Sequence, residues 1–79
     1  MQSQMFQIDI NATRAAAVSF TITQADAKAY TGFAFDGDVL VSFNNLGQAF
    51  PLAAGTPMGL PANVTSIETN VPVKLYLGY

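Results

Sequence analysis

Ser19, Ser42 and Ser66 are hydroxyls that could attack an acyl centre, but the chain has neither histidine nor cysteine. A hydroxyl nucleophile needs an adjacent base. A Ser–Lys pair with Lys28 or Lys74 is the remaining route, and no spacing singles one out. Asp36 and Asp38 flank Gly37, with Asp26 and Glu68 elsewhere. Paired carboxylates can serve acid–base chemistry or hold calcium. A calcium loop needs several more oxygen ligands at fixed spacing, and this stretch lacks them. Asp-Gly reads instead as the tip of a hairpin. Gly32, Gly37, Gly47, Gly55, Gly59 and Gly78 precede no helix, so none forms a phosphate cradle. The reading is no enzyme, no cofactor and no metal; without cysteine or histidine, disulfides and the commonest zinc sites are excluded.

Three tyrosines offer a different chemistry. Tyr30, Tyr76 and Tyr79 could stack on a sugar ring, with Lys28 close to the first and Lys74 to the second. Arg14, Lys28 and Lys74 are the only basic residues and form no patch, so no nucleic-acid partner is expected. No apolar run reaches the roughly 18–20 residues of a membrane span. Asn11-Ala12-Thr13 and Asn63-Val64-Thr65 match the glycosylation pattern. The start of the chain has no basic lead-in and apolar block, so secretion is not expected and assembly in a cytoplasm is.

The elements that would position these residues are strands. Phe6, Ile8 and Ile10 alternate with Gln7, Asp9 and Asn11, Val18, Phe20 and Ile22 with Ala17, Ser19, Thr21 and Thr23, and then Phe33 and Phe35 with Gly32 and Ala34. Alternation of period two marks a half-buried strand. Asp36-Gly37 predicts a tight turn, with Val39, Val41 and Phe43 on the return strand. Asn44, Asn45 and Gly47, and later Ala53 to Pro57, break the pattern. A short strand around Thr65, Ile67 and Thr69 should turn at Asn70 before Val73, Leu75 and Leu77, with Pro72 at a strand start or on an edge. One helical turn fits within Gln24 to Ala29. The whole predicts a single β domain over 1–79, with 1–4 as a loose arm. It is all-β: a small antiparallel β-sandwich or jelly-roll-like barrel of seven or eight short strands. The predicted core is Phe6, Ile8, Ile10, Val18, Phe20, Ile22, Phe33, Phe35, Val39, Val41, Phe43, Leu52, Ile67, Val73, Leu75 and Leu77.

Charged residues are 10% of the chain and hydrophobic residues 51%. An ordinary soluble domain carries about 25% charge. A chain of 79 residues also has little core of its own. Tyr30, Leu40, Val64 and Tyr76 are apolar or aromatic at outward phases. With Tyr79 they are the expected contact residues of a homo-oligomer.

The second half resembles small structural proteins of bacteriophage virions. An apolar strand, Val39–Phe43, leads to Pro51, Leu52, Ala54 and Gly55. A proline-containing stretch, a Thr/Ser-Ile strand at Thr65–Thr69 and a closing Leu77-Gly78-Tyr79 follow. The resemblance covers about Val39 to Tyr79. It implies a decoration, cement or vertex-associated subunit, located on the virion and in contact with capsid proteins. The second reading is a carbohydrate-binding β-module.

Overall fold

The computed structural model describes residues 6–44 and 47–79. The expected loose arm at 1–4, and Asn45 of the predicted break, lie outside them. The elements are β1 (Arg14–Thr21), α1 (Gln24–Ala29), β2 (Gly32–Phe35), β3 (Val39–Phe43), β4 (Phe50–Leu52), β5 (Met58–Gly59) and β6 (Ser66–Gly78). Among the described residues the protein is all-β apart from α1 and a 3-10 turn at Ile10–Ala12. Its six strands form one antiparallel sheet, ordered β4-β3-β6-β2-β5, with β1 also paired to β6. Among the described residues six strands stand where seven or eight were expected.

The register simplifies this sheet. Phe35 faces Leu75 and Val41 faces Thr69: six steps forward along β2 and β3, six back along β6. β2 and β3 are therefore one interrupted strand. The Asp36-Gly37-Asp38 segment between them is no hairpin, which corrects the sequence expectation. Phe33 faces Met58 and Val41 faces Phe50, eight steps apart on each side, so β5 and β4 are likewise one interrupted strand. Four ribbons result: residues 7–9 with β1, then β6, then β2/β3, then β4/β5.

Side chains replace the ladder where β2/β3 is interrupted. Asp36 Oδ1 accepts from Lys74 N–H at 2.9 Å, and Asn70 Oδ1 from Leu40 N–H at 2.8 Å. On the other flank Asp38 Oδ1 accepts from Ala54 N–H at 2.8 Å. Strong local turn propensity loses here because thirteen residues of β6 offer a continuous partner. Asn70 correspondingly does not turn. Pro72 lies inside β6, in register with Asp38. The β1 ladder also slips there, passing from Ala17–Val73 to Ser19–Glu68. Proline has no N–H to donate, and it falls where the ladder is open on both sides.

That slip also changes which residues point inward. Phe20 and Ile22 are buried as expected, but the phase has moved by the time it reaches Ala17, and Val18 is 46% exposed. A bulge places an extra residue and flips the faces beyond it. The expected first strand shrinks to a bridge at Ile8 followed by the 3-10 turn. Ile8 is 44% and Ile10 80% exposed, and Phe6 is half-buried. These four residues, predicted as core, are corrected. Phe43 is half-buried and packs against the core edge-on to Phe33.

The core is Phe20, Ile22, Phe33, Phe35, Val39, Val41, Leu52, Val64, Ile67, Val73, Leu75 and Leu77. Each fully buried aliphatic or Phe side chain contributes about 1.5–3 kcal/mol. Phe35 stands edge-on to Phe33 at 5.6 Å and tilted against Phe20 at 6.1 Å, joining the middle strands to β1.

β1 and β2 both oppose β6, which lies between them, so they run parallel to each other and need a crossover. α1 supplies it. Thr23 Oγ1 accepts from Asp26 N–H and the Asp26 carboxylate accepts from Thr23 N–H, a reciprocal cap. Arg14 donates to the same carboxylate at 2.9 Å and to Thr21 O at 3.2 Å, tying helix to strand.

Candidate functional site

At one end of the sheet three glycines stand side by side. Gly59 of β5 faces Gly32 of β2, which faces Gly78 of β6. Without side chains, this row is a trough in the sheet surface. The Phe6 ring fills its inner part: a Cβ built on Gly32 would meet the ring at 3.0 Å, and one on Gly78 at 2.9 Å. Above Gly59 there is open space, with no atom within 4 Å of such a Cβ. A groove of about 270 Å³ opens there, lined by Phe6, Thr31, Gly32, Pro57, Met58, Gly59 and Tyr79.

The backbone at this edge has a defined polarity. Leu60 N–H donates to Thr31 O at 2.9 Å. Antiparallel neighbours alternate between paired and unpaired groups, so Gly59 turns its N–H and C=O away from β2. The same alternation places Pro51 of β4 at an outward position, and Pro57 and Pro61 lie on either side of β5.

Tyr79 forms the wall of the groove. It is 58% exposed, yet its backbone is held twice: Gln7 N–H donates to Tyr79 O at 2.7 Å and Tyr79 N–H donates to Gln7 O at 2.9 Å. Its ring lies parallel to that of Tyr30, with centroids 6.4 Å apart and an interplanar angle of 4°. The Tyr30 hydroxyl donates to Asp9 Oδ2 at 2.7 Å. Asp9 Oδ1 in turn accepts from Asn11 N–H, capping the 3-10 turn. The hydrogen bond to Asp9, then burial, then the Asp9 charge raise the pKa of Tyr30. Burial also raises that of Asp26, but the hydrogen bonds from Thr23 and Arg14 and the Arg14 charge outweigh it and lower the net value.

The expected contact residues divide. Tyr30 and Tyr79 come together. Leu40 is 45% exposed in β3, beside Pro51. Tyr76 is half-buried in β6, opposite Ala34. Val64 is 4% exposed and belongs to the core, which corrects its outward assignment. It follows the loop that closes on β6, where strand alternation does not govern. Sequence reasoning missed the glycine row, because three residues 27 and 19 positions apart show no pattern before the register is known. Among the described residues, no three His, Cys, Asp or Glu gather to hold a metal. No helix among them is long and apolar enough to cross a membrane.

Comparison of the chain with protein families, curated proteins and solved structures found no match.

Proposed function

We propose that the chain is a small structural subunit that works by associating with copies of itself, on a bacteriophage particle as the cadence of its second half implies. The observation that carries this reading is an asymmetry between the two sheet edges. The β4/β5 edge carries Pro51 within β4 and Pro57 and Pro61 on either side of β5, and proline cannot extend a ladder. The opposite edge, residues 7–9 with β1, has no proline. It carries Ile8, Ile10 and Val18 exposed. Exposed apolar residues along an unblocked edge favour pairing with another strand, and a two-fold contact covers both copies at once. Scarce charge points the same way. The small β-sandwich or jelly-roll-like barrel expected from the sequence is kept as the proposed finer architecture of this single domain.

No catalytic step is part of this reading, and neither cofactor nor nucleic acid takes part. Capsid proteins are the proposed second partner, and the virion the proposed location. Purified protein mixed with virions lacking it should co-sediment with the particles and raise their resistance to heat or chelator. Failure to bind, with free chain left in the supernatant at every ratio, would contradict the virion role.

A further inference from the structure

We infer that the trough over Gly59 is a binding site for a neutral saccharide, with the Tyr79 ring as its stacking wall. This goes beyond self-association and uses a different edge of the molecule.

Four observations lead there. Tyr79 is exposed, two hydrogen bonds hold its backbone, and its ring lies parallel to that of Tyr30. Tyr30 is itself fixed by Asp9, so a relay of contacts sets the wall before any ligand arrives. Pre-setting an aromatic surface removes ordering cost from binding. Beside the wall, the floor at Gly59 is bare and its N–H and C=O point outward, offering one donor and one acceptor. Thr31 and Tyr79 also line the groove, and each carries a hydroxyl that can both donate and accept.

Among the described residues the lining contains no charged side chain to compensate an ionic ligand. An added peptide strand needs several consecutive outward backbone groups. Pro57 and Pro61 lie on either side of β5, so only one residue's worth is available. The groove, at about 270 Å³, lies just under the roughly 300–1,000 Å³ of drug-sized sites. A pyranose fits all of this: it is neutral, has an apolar C–H face for the tyrosine, and carries hydroxyls around its rim for the glycine and threonine.

Amide chemical-shift titration of the parent chain with methyl glycosides of glucose, galactose, mannose and N-acetylglucosamine tests the site. At least one glycoside should shift the amides of Gly59, Gly32, Thr31 and Tyr79 while leaving those of β3 and β4 in place. Tyr79→Ala should weaken that binding about tenfold or more, and Tyr79→Phe should largely keep it. Gly59→Val puts a branched side chain where an added Cβ meets no neighbouring side chain or strand, so it should abolish binding while keeping the parent's β-sheet circular dichroism. The inference is overturned if no glycoside shifts these amides at millimolar concentration. It is also overturned if binding survives Gly59→Val, or if a proline-rich peptide shifts the amides and the glycosides do not.

Discussion

Asn44 lies in the left-handed region at φ 55°, where asparagine is tolerated and most residues are strained. Its side-chain oxygen accepts from Thr65 N–H, the Thr65 hydroxyl and Ser66 N–H, and its amide donates to Asn63 O. One side chain thus fastens the end of β3 to the start of β6. Asn44→Ala should cost about 1–3 kcal/mol in urea unfolding, because it strands these donors and keeps the strained backbone. Asn44→Gly should cost less than Ala, since glycine accepts the backbone angle. Equal midpoints for both variants and the parent would contradict this role. The sequence marks Asn44 as a break but does not show what it binds, since its partners lie about twenty residues away. Tyr30 gives the second test at this scale. Its pKa is raised, so its hydrogen bond contributes stability that is full below the ordinary tyrosine value of about 10 and lost as pH rises through the folded value. An ultraviolet titration should find Tyr30 ionising above the ordinary tyrosine value, and Asp9→Asn should lower it.

Among the elements, β6 determines most of what alternation alone misjudged. Its thirteen residues, with no break at Asn70 or Pro72, draw β2 and β3 into one line and convert an Asp-Gly hairpin signal into a bridged interruption. Strand existence was legible because burying one face requires period-two spacing. Register and bulges were not, because they depend on which strand becomes the neighbour. The glycine trough, which exists only in register, was hidden for the same reason, whereas its tyrosine wall was visible by residue type. The interruption predicts that Asp36→Ala and Asp38→Ala each destabilise the fold by about 1 kcal/mol, through the loss of a carboxylate that accepts from backbone N–H. A solvated hairpin tip would give no measurable change in melting temperature. α1 offers a pH test. Asp26 has a lowered pKa, so its contribution is present above the ordinary carboxylate value and lost as pH falls through the folded one, below about 4. Asp26→Asn should flatten that part of the stability profile. In the core, Phe20→Ala and Phe35→Ala should each cost about 3–5 kcal/mol, and half-buried Phe43→Ala less.

At the scale of the whole molecule, the two edges of the sheet differ. One is closed by prolines and carries the groove. The other bears Ile8, Ile10 and Val18, the residues whose alternation implied a core and whose exposure, in the folded chain, calls for a partner. A domain of 79 residues has stability of about 4–12 kcal/mol, so covering this edge is a substantial addition. A stable contact buries on the order of 800 Å² per copy. Sedimentation velocity of the parent chain and of Ile10→Asp, over a concentration series up to tens of micromolar, tests self-association most directly. The parent should sediment as a closed oligomer. The Ile10→Asp chain should keep the parent's β-sheet circular dichroism and shift to monomer, because Ile10 is 80% exposed and stands outside the core cluster. A parent that remains monomeric throughout the series, or an oligomer indifferent to Ile10→Asp, would contradict self-association through this edge.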